Sequence, residues 1–386
     1  MLWDVFCRVI DNFGDMGVCW RLAVDLGQRG HQVRLWVDDA QALTWMAPQV
    51  RWQTEPHEHL AVGRGQQGVE VRHWAEATQA LPLLPGLEAG DVVVEAFGCD
   101  PPEAFITRMQ VRAAQGNAAQ WVNLEYLSAE DYVARSHGLS SPVWSGAGNG
   151  LTKRFFYPGF TQGTGGLLRE PKLIDQRQML SESSSLRAAK LAALGIHLQA
   201  TDKLVLVFCY ASAPVDDLLD RLSKQGSRVH VLLTPGHAAS MGEAWLARHR
   251  DTLLRLHMIP ALPQDEFDAL LWCCDLNLVR GEDSAVRALW AGRPHIWQIY
   301  EQDDGVHAQK LDAFMNKWMA AWPEALRTDV QAWWLAWNGL GPMPEVLPQW
   351  GHPNAPWQLA STAASIELRA QTDLTSQLIE FVASSG

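Results

Sequence analysis

The stretch Leu2-Trp3-Asp4-Val5-Phe6-Cys7-Arg8-Val9-Ile10-Asp11-Asn12-Phe13-Gly14-Asp15 decides the fold. From Leu2 to Ile10, Val5, Cys7 and Val9 alternate with Asp4, Phe6 and Arg8, which is the period of a strand. A polar turn through Asp11 and Asp15 follows. Val18, Cys19, Leu22, Ala23 and Leu26 then recur on one helical face, in a helix expected to start near Gly17 and to end at Gly30. Gln32 to Val37 reads as the next strand. Strand, turn, helix and strand in this order open a parallel sheet.

Val69 to Trp74, Asp91 to Ala96 and Gln120 to Leu124 extend the strand series. Pro101-Pro102 and the glycine-rich Ser145 to Gly150 mark loops. Leu167 to Leu194 is polar, helical and serine-containing, the character of a connector. A second alternation follows, with strands at Leu204–Tyr210, Arg228–Leu233, Leu276–Val279 and His295–Gln298 and helices at Val215–Lys224 and Gln264–Cys273. The repeated β/α theme predicts an α/β protein of two doubly wound, Rossmann-like domains facing across a cleft, with ligands outside the carboxyl ends of the strands. The expected domains are 1–190 and 198–364. A helix read over Ala363 to Ala383, within 365–386, is expected to pack back on the first.

Bulk properties agree. One core rarely grows to 386 residues, so two domains are the default. With 47% hydrophobic and 19% charged residues the chain reads as globular. The formal net charge of −12 repels a phosphate backbone, so nucleic acid is not expected as a partner. The cysteines, Cys7, Cys19, Cys99, Cys209, Cys273 and Cys274, form no C-x-x-C pair and sit mostly in apolar runs, as buried free thiols do. His57-Glu58-His59 lies in a polar stretch without a further ligand nearby and reads as surface loop. No basic leader precedes an apolar segment, and no stretch approaches the ~18 apolar residues of a membrane span. The expectation is a cytoplasmic protein without a membrane partner. The 19 tryptophans read mainly as core and helix packing.

Two places can carry chemistry. The turn after the first strand holds Asp11, Asn12, Gly14 and Asp15. Two carboxylates four residues apart can act as base and orienter for one acceptor group. Helix capping explains one of them equally well. The turn lacks G-x-G-x-x-G, which disfavours a dinucleotide site, and Gly146-Ala147-Gly148-Asn149-Gly150 follows no clear strand. The second place is Arg280-Gly281-Glu282-Asp283-Ser284, between an apolar strand and a helix ending at Gly292. A helix N-terminus with an adjacent arginine fork suits a diphosphate, and Ser284 adds a hydroxyl. A capped surface helix with an Arg–Asp pair is the plainer alternative. Glu282 and Asp283 repel phosphate and suit sugar hydroxyls or backbone N–H groups. Tyr300 follows another strand and can reach the same cleft.

These segments resemble one family. Trp3 to Ala23, Trp121-Val122-Asn123-Leu124-Glu125-Tyr126-Leu127-Ser128, Phe155-Phe156-Tyr157-Pro158-Gly159-Phe160-Thr161, Arg280 to Ser284 and Lys310-Leu311-Asp312-Ala313-Phe314 are similar to the bacterial protein-arginine rhamnosyltransferases that modify elongation factor P, the EarP family. The resemblance covers nearly the whole chain. It implies a GT-B fold, with an acceptor-side first domain and a nucleotide-sugar-binding second domain. It implies dTDP-β-L-rhamnose as donor, elongation factor P as protein acceptor, inverting transfer to an arginine, and no cofactor or metal. By resemblance, Asp11 and Asp15 hold the acceptor arginine, with Asp15 as base, beside Asn12, Phe13 and Gly14. Arg280, Gly281, Asp283, Ser284 and Tyr300 bind the diphosphate end, and Glu282 contacts the donor near its sugar or diphosphate. Gln264 and Phe267 read the thymine, and Phe208 lines the nucleotide pocket. The chain departs from the family pattern at Ala261, where an aromatic residue is usual, and at Ala211-Ser212, where Glu-Asn is usual. The alternatives are another GT-B nucleotide-sugar enzyme of epimerase type, and a non-catalytic protein that binds elongation factor P.

Overall fold

The computed structural model describes residues 1–9, 14–53, 62–65, 68–79, 87–249, 252–302 and 305–384. Asp11, Asn12, Phe13 and the His57-Glu58-His59 segment lie outside the described residues. The chain divides into two compact units: residues 1–170 with 371–386, and residues 171–370.

Among the described residues the first unit is built on β1 (Leu2–Cys7), β2 (Gln32–Val37), β3 (Arg51–Trp52), β4 (Val62–Arg64), β5 (Val69–His73), β6 (Val92–Ala96), β7 (Gln120–Leu124), β8 (Ser140–Pro142) and β9 (Thr152–Phe156). They form one sheet in the order β3-β4-β5-β2-β1-β6-β7-β9-β8. The strands from β5 through β9 in that order pair in parallel, whereas β3, β4 and β8 pair antiparallel at the edges. The order therefore reverses direction at β1, with β2 on one side and β6 on the other. Both faces are covered, as parallel sheets require. One face packs Val5, Cys7, Val33 and Val94 against Val18, Cys19, Leu22 and Leu26 of helix Gly14–Gln28. The other packs Phe6, Trp36 and Val93 against Phe105 and Met109 of helix Glu103–Ala114.

Asp4 is buried in the central strand, and its carboxylate is fully engaged. Arg34 donates to both oxygens at 2.6 and 2.8 Å, Trp36 Nε1 donates at 2.8 Å and the Gly90 N–H at 2.7 Å. A buried charge survives when paired and hydrogen-bonded in this way.

The second unit has a wholly parallel sheet of β10 (Lys203–Val207), β11 (Val229–Leu233), β12 (Leu254–Met258), β13 (Leu276–Arg280) and β14 (His295–Gln298), in the order β12-β11-β10-β13-β14. Here the reversal lies between β10 and β13, the arrangement that leaves a ligand crevice at the strand ends.

The structure moves three boundaries. Helices Leu173–Glu182 and Ser184–Ala192 fall in the second unit, not in a first domain reaching residue 190. They pack on helix Gln264–Cys273, where Arg187 donates to the Cys273 carbonyl at 2.9 and 2.7 Å and Lys190 pairs with Glu266 at 2.6 Å. The segment expected as one terminal helix is two, Pro356–Leu368 and Leu374–Ala383. Asp373 makes the break by accepting from the Ser376 N–H at 2.9 Å as an N-cap, while Arg29 donates to it at 2.7 Å. Leu374, Leu378 and Val382 then enter the core of the first unit. The first helix starts at Gly14 rather than near Gly17.

The six cysteines are buried and free. Trp3, Trp36, Trp245, Trp333, Trp334, Trp337 and Trp357 are fully buried, while Trp144 stands exposed. Among the described residues no helix is long and apolar enough to cross a membrane.

His295, at the start of β14, is buried between Trp318 and Trp334. Its Nδ1 donates to the Arg293 carbonyl at 3.1 Å, and its Nε2 has no hydrogen-bond partner. Burial pushes its pKa down to about 4. Because the folded value lies below that of the unfolded chain, the stabilisation is present above pH ~6.5 and is lost as pH falls towards 4. The predicted loss attributable to this group is about 3 kcal/mol. Urea unfolding of the native chain and of His295→Gln between pH 7 and 4 checks it. The native chain should lose more stability over that window, and parallel curves would refute the assignment.

Candidate active site

In the second unit the site grows from the reversal between β10 and β13. Past the end of β10, the Phe208 N–H donates to the Leu278 carbonyl at 2.8 Å and so keeps the chain in register with β13. Two residues on, the Tyr210 N–H donates to Gln298 Oε1 at 2.8 Å, and Gln298 Nε2 donates to Ser212 Oγ at 3.2 Å. Gln298 is buried at the end of β14, so it fixes the loop after β10 to a strand two places away, across the end of β13.

Arg280 is the last residue of β13. Its guanidinium carbon lies 4.7 Å from the Phe208 ring centroid and 4.5 Å from that of Tyr210. Two aromatic faces hold a planar cation in place while leaving its N–H edge for another acceptor. Gly281 follows with φ +69°, a conformation that side chains resist, and caps helix Glu282–Ala291. Glu282, Asp283 and Ser284 form the first turn, whose backbone N–H groups have no carbonyl in the preceding turn. Such a terminus beside an arginine is suited to an anion.

Further rings close the site. Phe267 meets Phe208 edge-on at 5.8 Å, and Tyr300 meets Tyr210 edge-on at 5.7 Å. Gln264 Nε2 lies 3.4 Å from Asp283 Oδ2. The structure thus brings Phe208, Gln264, Phe267, Arg280, Gly281, Asp283 and Tyr300 together, with Glu282 and Ser284 on the adjoining helical turn. Ala261 is exposed three residues before Gln264.

The helix carrying Gln264 and Phe267 is fixed to the helix after Gly281 by one buried ion pair. Arg287 donates to both oxygens of Asp268, at 3.1, 3.1 and 2.7 Å. Both side chains are nearly inaccessible.

In the first unit, Asp15 stands in the first turn of helix Gly14–Gln28 and is 4% exposed. Asp38, just past β2, accepts from the Val9 N–H at 3.1 Å. The Cys7 thiol between them is hydrogen-bonded to Cys19. That bond, burial and the nearby charges of Asp15 and Asp38 push its pKa well above the thiol range, so it stays protonated and is no nucleophile. The end of β1 therefore gathers two carboxylates, the buried Asp15 and the half-buried Asp38, with Arg8 3.8 Å from Asp38. Among the described residues no group of three or more His, Cys, Asp or Glu is placed to hold a metal ion.

A family model for the Elongation-Factor P (EF-P) rhamnosyltransferase EarP matches residues 3–383. The chain belongs to the EarP family. The protein-arginine rhamnosyltransferase of Pseudomonas aeruginosa is 38% identical to it, over 99% of the chain and 98% of the relative. That of Shewanella oneidensis is 34% identical, over 99% and 98%. A solved structure described as the structural basis for EarP-mediated arginine glycosylation of translation elongation factor EF-P matches with a TM-score of 0.66 at 27% identity, over 100% of the chain and 99% of its own. Spinosyn rhamnosyltransferase SpnG complexed with thymidine diphosphate matches with a TM-score of 0.50 at 14% identity, over 98% and 99%, a likeness of fold. With two parallel-sheet units and these neighbours, the fold class is GT-B.

Reading the sequence missed two residues of this candidate site. Tyr210 touches both Arg280 and Tyr300, and Gln298 holds it in place. Tyr210 could have been found from its spacing, two residues after Phe208 and past the same strand. Gln298 could not, because it reads as the end of an apolar strand.

Asp268→Ala leaves the buried Arg287 without its counter-charge, and the expected destabilisation is about 3–5 kcal/mol. Chemical denaturation measures it directly. A loss below about 1 kcal/mol would mean that water enters and solvates Arg287.

Proposed function

We propose that the chain transfers L-rhamnose from dTDP-β-L-rhamnose to the side chain of an arginine in elongation factor P, with inversion at the anomeric carbon and without a metal. The observation that carries this reading is the Arg280 guanidinium held between Phe208 and Tyr210 beside the Gly281 helix N-terminus, in a member of the EarP family.

The chemistry follows from the charges involved. A guanidinium is a poor nucleophile, because its lone pairs are delocalised and its pKa exceeds ~12. One N–H proton must leave as the nitrogen attacks. Asp15 takes that proton, with Asp11 orienting the acceptor arginine beside Asn12, Phe13 and Gly14. The new N–C bond forms as the bond from the anomeric carbon to the diphosphate oxygen breaks. The electron pair leaves with dTDP, and the acceptor remains a cationic, glycosylated guanidinium. Charge growing on the diphosphate meets Arg280 and the helix N-terminus, with Asp283, Ser284 and Tyr300 around it. Glu282 contacts the sugar end. Gln264 and Phe267 face the base, and Phe208 lines its pocket. The exposed Ala261 leaves one side of the base without the second aromatic wall usual in the family.

Incubating the protein with dTDP-rhamnose and elongation factor P, then weighing the factor, tests the activity. A gain of one deoxyhexose is expected, and an unchanged mass overturns the reading. Asp15→Asn keeps the shape and removes the basicity, so turnover should fall about a hundredfold or more while donor affinity holds. Normal turnover would acquit Asp15. Arg280→Ala should weaken dTDP binding by about 1.5–3 kcal/mol, the contribution of a charge-assisted hydrogen bond. Calorimetry showing unchanged dTDP affinity would make Arg280 structural.

A further inference from the structure

Glu125 follows β7 in the first unit, within the segment Trp121 to Ser128 that no role above explains. Its N–H donates to the Phe156 carbonyl at 3.0 Å, which fixes it against the end of β9. Its carboxylate is partly buried, and one oxygen accepts from Asn123 Nδ2 at 3.1 Å. No basic side chain among the described residues pairs with it. The two cations of β9 are engaged elsewhere. Lys153 bonds to Glu95 and Asp100 at 2.8 Å each, and Arg154 lies 3.7 Å over the Phe381 ring and donates to the Phe381 carbonyl. Burial accordingly pushes the Glu125 pKa up, opposed only by the Asn123 amide. Asn123 is 6% exposed, and its Oδ1 has no partner.

The surroundings are aromatic and negative. The Tyr132 and Tyr157 rings meet edge-on at 6.0 Å, and both phenols feel the charge of Glu125. Glu130 adds to the field at Tyr132. Next to Glu125, Tyr126 is 39% exposed and stacks at 4.4 Å on Phe97. Phe97 adopts φ +60°, a strained backbone for a residue with a side chain, and strain of this kind gathers at functional sites. A carboxylate without a counter-ion, beside tyrosine rings, is complementary to a delocalised cation.

Its place in the sheet relates it to the acceptor corner. β7 lies two strands from β1, separated by β6, so their ends are roughly 10 Å apart at the usual strand spacing. Both strands run parallel, and both corners open at the same carboxyl edge.

We propose that Glu125, beside Tyr132 and Tyr157, is a subsite for a cationic side chain of the protein acceptor. This rests on the acceptor reading above. The cation is either the arginine that is modified or a basic neighbour in the acceptor, and the chemistry of capture is the same.

Glu125→Gln keeps the shape and the Asn123 contact but removes the charge. The KM for elongation factor P should rise about tenfold to a hundredfold, the range for one lost charge-assisted hydrogen bond, while dTDP affinity and melting temperature hold. Glu125→Asp, which keeps the charge, should retain more affinity than the glutamine variant. An unchanged acceptor KM in Glu125→Gln, or an equal loss of donor affinity, overturns the proposal. Repeating the binding measurement with an acceptor whose target arginine is alanine separates the sources. If the Glu125→Gln penalty vanishes, the subsite holds the target arginine, and if it persists, it holds a neighbour. Should the native protein neither bind nor modify elongation factor P, the acceptor reading falls by itself. Titration with N-acetylarginine methylamide, followed by NMR, then judges the subsite: weaker binding by the glutamine variant upholds it, and equal binding overturns it.

Discussion

The reversal of strand order between β10 and β13 is the constraint on which the candidate site of the second unit depends. Where neighbouring strands send their connections to opposite faces, no connection crosses the strand ends and a crevice stays open. In this chain that crevice receives residues at and just past the strand ends: Phe208 and Tyr210 from one, Arg280 and Gly281 from the other. The cation and its two aromatic faces come from segments about seventy residues apart, and only the sheet register makes them neighbours. Gln298, from the third strand in the row, then removes the remaining freedom of the loop.

The first unit uses the same rule with opposite electrostatics. Its reversal at β1 is surrounded by carboxylates: Asp15 and Asp38 at the end of β1, and Glu125 two strands away. One fold thus presents a cation at one switch point and anions at the other. In a net acidic chain the potential at this site is local, set by Arg280 and a helix terminus, and not by the total of −12.

Much of this was legible in the residues. The alternation of β1 and the helical stripe from Val18 to Leu26 are local patterns, and local patterns survive folding. Gly281 between an apolar strand and an apolar helix marked the turn of the candidate site for the same reason. What was not legible depends on partners far away in sequence. The helices of 173–192 look like a connector because their polar faces dominate, and their few buried leucines gain meaning only against helix Gln264–Cys273. The break before Leu374 was hidden because Asp373 sits in an otherwise helical run. Its capping role depends on Arg29, over three hundred residues earlier, which holds it at the surface of the first helix. Glu125 was visible as a residue, but its lack of a counter-ion among the described residues is a property of the fold alone.

The return of the last helix to the first unit has a consequence for how the protein is made. Leu374, Leu378 and Val382 belong to the same core as β1, yet they leave the ribosome after every residue of the second unit. During synthesis the second unit has its whole sequence available while the earlier-born one still lacks a wall. The usual order of vectorial folding, amino-terminal domain first, is therefore inverted for final closure. The amino-terminal half must wait with its sheet formed but its core uncovered, the apolar patch that this helix covers facing water, until the tail arrives.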